Sequence, residues 1–160
     1  MERDCRFNSE DYRFHFRVAA IIMEEGHILL AKCDAADYFY SVGGGVHLGE
    51  TAEDAVKREV FEETGIRYEV ERLAFIHENF FVDEVVSAGR KIHEISFFFL
   101  MKPKGKMQKI NVESVCAAGR ETVHWLPIEK LSGITAFPEF YREKLLNMPE
   151  VIEHIVNREY

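Results

Sequence analysis

The chain has 160 residues, a formal net charge of −8, and 47% apolar against 30% charged residues. That length suits one domain with a proper core, and the acid excess disfavours sequence-independent attachment to a phosphate backbone, which needs a basic surface. Cys5, Cys33 and Cys116 are odd in number and form no Cys-x-x-Cys pair, so they read as isolated thiols rather than a disulfide framework or zinc site. No run of about 18 apolar residues occurs, and none follows Met1 to Asp4, so a cytoplasmic protein without a membrane partner is expected.

Residues 1–13 are polar and predict an N-terminal arm, loosely held or forming a short edge strand, ahead of a single domain over 14–160. Apolar segments from Arg17 to Met23 and from His27 to Cys33, joined by Glu24-Glu25-Gly26, read as a β-hairpin. Tyr38 to Val46 is strand-like and ends in Gly43-Gly44-Gly45, where backbone can approach backbone or ligand closely. Thr51 with Asp54 starts a helix and Gly65 stops it, which predicts a helix over Ala52 to Thr64.

Alternation resumes from Tyr68 to Val82, breaks at a loop over Asp83 to Lys91, and returns in the aromatic strand His93 to Met101. Lys102 to Lys106 reads as a solvated turn, favoured over a phosphate-contacting loop. Glu121 to Leu126 is a further strand and Pro127 to Leu131 a helical turn. Pro138 to Asn147 predicts an amphipathic helix with Phe140, Tyr141, Leu145 and Leu146 inward, and Val151 to Val156 a last turn or two. This order describes an α/β fold, a mixed sheet covered by helices on both faces.

The helix over Ala52 to Thr64 carries the chemistry. At about 100° per residue, Ala52, Ala55, Val56 and Val60 share one stripe, with Glu59, Glu62 and Glu63 in or beside it, while Glu53, Asp54 and Lys57 point elsewhere. A solvated acidic face should lie opposite the apolar stripe; this one does not. Inward carboxylates cost desolvation energy unless cations meet them, and within the run only Arg58, reaching Glu62 at i+4, is available. Hard divalent ions could neutralise the rest, and Mg²⁺ favours a few carboxylates plus water and substrate phosphates.

The run Gly44-x5-Glu50-x7-Arg58-Glu59-Val60-x-Glu62-Glu63-x-Gly65-Ile66 resembles the Nudix box, with every defined position filled. The resemblance implies the α/β/α sandwich of that fold and Mg²⁺ or Mn²⁺ as cofactor. It implies that Glu59, Glu62 and Glu63 bind metal and supply the base, that Arg58 orients Glu59, that Glu50 is an accessory carboxylate, and that the carbonyl of Gly44 or Gly43 is a backbone ligand. A carboxylate outside the box often contributes in this family; Glu94 and Glu121 are the candidates. Arg17 could meet a substrate phosphate, and Phe39 and Tyr40 offer faces for a base, with Phe80, Phe81 and Trp125 as further aromatics.

The chain departs from the family's pattern in places. Ser41-Val42 precedes Gly43-Gly44 where Leu-Pro is common, and His47 stands where an acid is frequent. No proline lies between Gly65 and Pro103, unlike many ADP-ribose hydrolases; Phe80 and Phe81 replace the tyrosine of diadenosine-polyphosphate hydrolases; the coenzyme A pattern is missing. The resemblance implies a pyrophosphohydrolase acting on a nucleoside diphosphate linked to another moiety, and elimination among these patterns leaves a nucleoside triphosphate, intact or damaged, as the leading substrate, with the protein expected to be a monomer or homodimer. The alternatives are an RNA 5′-pyrophosphohydrolase, which would need a basic groove and makes nucleic acid an unfavoured partner, and a non-enzymatic nucleotide-binding protein on the same fold.

Overall fold

The computed structural model describes residues 3–83, 87, 89–116 and 119–160. Its strands are β1 (Arg6–Asn8), β2 (Tyr12–Ile21), β3 (Met23–Glu24), β4 (His27–Cys33), β5 (Phe39–Gly45), β6 (Val70–Asp83), β7 (Arg90–Met101), β8 (Ser114–Cys116), β9 (Gly119–Pro127), β10 (Ala136–Phe137) and β11 (Glu153–Arg158). The helices are α1 (Ala52–Thr64), a 3-10 helix (Ile128–Gly133) and α2 (Tyr141–Lys144). Residues 84–86 and 88 of the expected β6–β7 loop lie outside the described residues, as do Met1 and Glu2 of the arm.

The strands join in the order β11-β6-β7-β2-β5-β4-β9-β8, with β1 added to β2, β3 to β4 and β10 to β5. The sheet is mixed: β2 runs parallel to β7 and antiparallel to β5, in register Val18 to Gly44 and Arg17 to Gly45. This is the expected α/β sandwich. One face buries Val18, Ala20, Val42, Val56 and Val60 beneath α1; the other buries Ala19, Phe75, Phe98, Leu131 and Tyr141 beneath the 3-10 helix and α2. The second cover is thin, because α2 is a single turn.

α1 forms where local signals say it should. Thr51 accepts from the Asp54 amide at 3.1 Å, and Gly65, at φ 73°, closes the helix by donating to the Phe61 carbonyl at 2.8 Å. Ala55, Val56 and Val60 are fully buried, the valines contributing roughly 1.5–3 kcal/mol each. The hairpin is shorter than expected: β3 pairs with β4 through Glu25 and Gly26, both at positive φ, while most of the preceding segment belongs to β2.

The C-terminal expectations need correction. The helix over Pro138 to Asn147 shrinks to α2, and Leu146 is 65% exposed rather than inward. Tyr141 and Leu145 already fill the apolar space, and Pro149 disfavours helical backbone in the residue before it. Val151 to Val156 is not a helical turn; Glu153–Arg158 is strand β11, parallel to the outer edge of β6, with Ile155 packed on the core. Unpaired backbone groups along β6 are satisfied this way, and the Ile-Val pair suits a pleated surface.

Cys33 and Cys116 are not separate thiols. They form a disulfide with Cα atoms 6.3 Å apart, tying β8 to β4, and leave Cys5 free. The lysine turn is solvent-facing, yet its backbone is anchored: the Lys104 and Gly105 amides donate to the buried Glu24 carboxylate and Met107 donates to Glu25. No described helix is long and apolar enough to cross a membrane.

Candidate active site

The glycine run of β5 faces one side of α1. At Gly43 a Cβ would lie 2.2 Å from the Val18 carbonyl oxygen, so this strand meets β2 without room for a side chain. At Gly44 a Cβ would lie 2.5 Å from the Glu59 carboxylate, which therefore rests directly on the glycine backbone. The helix sets the other half: Glu59 and Glu63 flank the buried valine stripe one turn apart, with side-chain exposure of 15% at Glu59 and residue exposure of 7% at Glu63. Glu62 departs from the expected inward face. Its side chain is 56% exposed, because its direction falls on the margin of the stripe, leaving it at the site's solvent rim.

Arg58 is the hub of this cluster. Its Nε and Nη2 donate to both oxygens of Glu50 at 2.8 and 3.0 Å, Nη1 donates to Glu59 at 2.6 Å and reaches Glu62 at 3.5 Å, and Nη2 also donates to the Gly45 carbonyl at 3.0 Å. The bidentate grip, with hydrogen bonds from Arg58 foremost, holds the Glu50 carboxyl below its ordinary range. Arg58 is held above its own range by the same bonds.

Glu63 is left unsatisfied. Oε1 accepts from the Gly43 amide at 3.1 Å, but among the described residues Oε2 is buried without a hydrogen-bond partner. Burial, then the nearby charge of Glu121, pushes its carboxyl up to about 9. Burial also raises Glu59, against the pull of Arg58. Glu121, on β9, is itself buried; Ser114 donates to it at 2.8 Å and the Tyr40 hydroxyl donates to its other oxygen. Burial and that bond raise the Tyr40 phenol in turn.

The outlying candidates divide. Arg17 projects from β2 to within 3.6 Å of Glu94, whose other oxygen accepts from Ser96 at 3.0 Å, and its charge also acts on Glu59 and Glu63. Glu94 thus holds Arg17 at the margin of the cluster. Tyr40 lines the site beside Glu121, whereas its neighbour Phe39 packs on the opposite core, next to His124. Sequence reasoning missed Asp4, which lies against Gly45, and Ser114, which fixes Glu121. Neither carries a local motif.

Hard oxygen donors around a buried, unpartnered carboxylate oxygen are the chemistry a divalent cation would complete, and they suit Mg²⁺ or Mn²⁺ better than a soft-ligand metal. Among the described residues no three His, Cys, Asp or Glu side chains already converge as a metal cage. Arg58 occupies Glu50 and one oxygen of Glu59, so the free capacity lies at Glu63 Oε2, Glu62 and the second oxygen of Glu59. Mg²⁺ characteristically fills its remaining positions with water and substrate phosphate.

A family model for the NUDIX domain matches residues 13–147. The chain is 34% identical over 131 residues to a MutT-like protein of Streptomyces ambofaciens, covering 81% of this chain and 73% of that one. Its fold is similar to a mutator MutT protein of Bacillus halodurans, with a TM-score of 0.63 at 20% identity over 91% of both chains. It is also similar to a MutT protein of Methanosarcina mazei Go1, with a TM-score of 0.60 at 22% identity over 85% of this chain and 92% of the other. The chain belongs to the NUDIX domain family. It is a Nudix hydrolase, an enzyme of the class acting on phosphoric anhydride bonds.

Proposed function

We propose that this enzyme is a Mg²⁺- or Mn²⁺-dependent pyrophosphohydrolase whose substrate is a nucleoside triphosphate, intact or chemically damaged. The observation that carries the reading is Glu63: a buried carboxylate with one oxygen unpartnered among the described residues, next to Glu59, against the glycine run of β5 with no side chain in the way. Similarity to a MutT-like protein supports the substrate class, together with the missing downstream proline of ADP-ribose hydrolases.

Glu59, Glu62 and Glu63 would hold the cation, with the Gly44 carbonyl as a backbone partner. When bound, the cation neutralises the phosphate oxygens and acidifies water. The protein's own groups do the rest. Arg58 fixes Glu59 in one rotamer, so a carboxylate oxygen is held ready to take a proton from the attacking water. Arg17, partly exposed beside the cluster, can meet an outer phosphate. Glu121, held by Tyr40 and Ser114, sets a second carboxyl against Glu63 and so strengthens the demand for a cation there.

Purified protein assayed with the common and the oxidised nucleoside triphosphates should release pyrophosphate or phosphate with Mg²⁺ and none in chelator. ADP-ribose and a 5′-triphosphorylated RNA serve as competitors in the same assay. Faster turnover of the RNA, or activity indifferent to chelator, would remove this reading.

A further inference from the structure

The N-terminal arm is built into the site. Between β2 and the Gly45–Leu48 loop the chain opens a wedge, and residues 3–5 fill it: Leu48 N donates to the Arg3 carbonyl at 2.8 Å, Cys5 N to the Val46 carbonyl at 2.6 Å, and Phe16 N to the Cys5 carbonyl at 3.0 Å. Asp4 and His47 form an isolated antiparallel bridge at the centre of this contact. The same loop is bonded to β2 directly, Val46 N donating to the Phe16 carbonyl at 3.2 Å. Val46 is buried, but Leu48 is 67% exposed.

Side chains continue the connection inward. The Asp4 carboxylate lies 3.7 Å from His47 Nε2, 3.9 Å from His15 Nε2 and 3.4 Å from Arg6. It also sits on the backbone of Gly45, where a Cβ would come within 2.8 Å of its carboxyl carbon. His47 donates its amide to Glu50 at 3.0 Å and places Nδ1 3.8 Å from the same oxygen. Glu50 is the bidentate partner of Arg58, and Arg58 in turn holds Glu59 and the Gly45 carbonyl. Every link from Asp4 to Glu59 is thus a direct contact.

We infer that Asp4 is a positioning residue: it latches the Gly45–His47 segment so that Glu50 clamps Arg58, and Arg58 presents Glu59. The inference rests on the pyrophosphohydrolase reading only for its effect on turnover; the latch itself exists in the metal-free protein. Arm and loop share backbone hydrogen bonds that no substitution of Asp4 removes, so loss of its side chain loosens the loop without unfolding the domain. A partner at this remove acts more weakly than a group touching a ligand, whose loss costs about 10–100-fold.

The test uses the full chain with Asp4→Asn and Asp4→Ala, and Asp4→Glu as the conservative rescue. In metal-free protein the His47 and Leu48 amides should exchange about tenfold faster in the Asn and Ala variants, with the midpoint of melting moved by no more than about 2 °C. Mn²⁺ titrated in the absence of nucleotide should bind about 3–10-fold more weakly, and kcat should fall by a similar factor at nearly constant KM. Asp4→Glu should recover part of each change. Unchanged exchange and Mn²⁺ affinity would overturn the proposal, as would losses that merely track a lowered melting temperature. If wild type turns over no nucleotide, the substrate reading falls while exchange and Mn²⁺ binding still decide the latch.

Discussion

Two glutamates are buried to nearly the same degree, Glu24 at 4% and Glu63 at 7% exposure, and the fold treats them in opposite ways. Glu24, at the β3–β4 turn, receives backbone amides from Lys104 on one oxygen and Gly105 on the other. Glu63 receives one amide, faces Glu121 rather than a cation, and keeps an oxygen with no partner. A carboxylate buried for architecture is saturated with donors, since an unsatisfied one costs more than it contributes. One left short of donors against a like charge is a place where something positive from outside the chain belongs.

The largest expected effect breaks this contrast at Glu63. Glu63→Gln and Glu59→Gln should each lower kcat by at least about 10², while Glu53→Gln, exposed and paired with Lys57, should be nearly silent. In chelator the Glu63→Gln protein should melt no earlier than wild type, because burial and Glu121 already keep the metal-free carboxyl largely protonated near neutral pH, and a neutral amide of the same shape takes its place. Mg²⁺ at a hundredfold excess over Kd should then stabilise wild type by about 2.7 kcal/mol and the variant by much less. Thermal melting with and without Mg²⁺ reads both. Strong destabilisation of the metal-free variant would make Glu63 an anchor like Glu24.

Next in size are the two glycines under the site. Gly44→Ala directs a methyl group at the Glu59 carboxylate, a flexible tip that can move away, so the fold should survive while kcat drops about 10–100-fold. Gly43→Ala directs it at the Val18 carbonyl from a φ of 147°, where only backbone can yield, so stability should fall first. Comparing denaturation midpoints with steady-state rates separates the two. If Gly44→Ala unfolds the protein and keeps its rate per folded molecule, Glu59 is not seated as described.

Glu24→Gln should behave as the mirror of Glu63→Gln. One amide loses a charged acceptor, at a cost of about 1–3 kcal/mol in urea denaturation, and kcat and KM stay at wild-type values. A loss of activity without a loss of stability would erase the distinction between the two carboxylates.

The parts of this contrast visible in the sequence are those whose causes are local. Thr51, Asp54 and Gly65 delimit α1 because capping involves residues within four positions, and the phase of Glu59 and Glu63 follows from the helix period. The same period misjudged Glu62, since a stripe about 100° wide does not decide a residue on its margin. Strand β11 was illegible because its edge partner β6 lies far back in the chain, and the Cys33–Cys116 bond spans 83 residues with no spacing motif. Glu24 and Asp4 look like ordinary surface acids in the sequence. Only the fold brings a lysine turn to one and the glycine end of β5 to the other.

The smallest expected effect concerns a second unsatisfied atom near the site, and it tests whether lack of a partner or closeness of charge governs these groups. His15 Nε2 is buried without a hydrogen bond among the described residues, facing Asp4 at 3.9 Å. Burial first, then the charges of Arg17 and Arg13, lower its pKa to about 4, while Glu94 and Asp4 pull the other way. A histidine whose folded value lies below its unfolded value of 6.5 binds fewer protons when folded, so its contribution is intact above 6.5 and is lost as pH falls from there toward 4. In chelator, wild type should lose on the order of 1 kcal/mol between pH 7 and pH 5.5 from this group, and His15→Gln should flatten that slope. Urea denaturation at both pH values measures it. Identical slopes would mean that Asp4 accepts the imidazolium despite the missing hydrogen bond, and that an unpartnered buried atom beside this site is no sign of unmet demand unless, as at Glu63, its nearest charge is of the same sign.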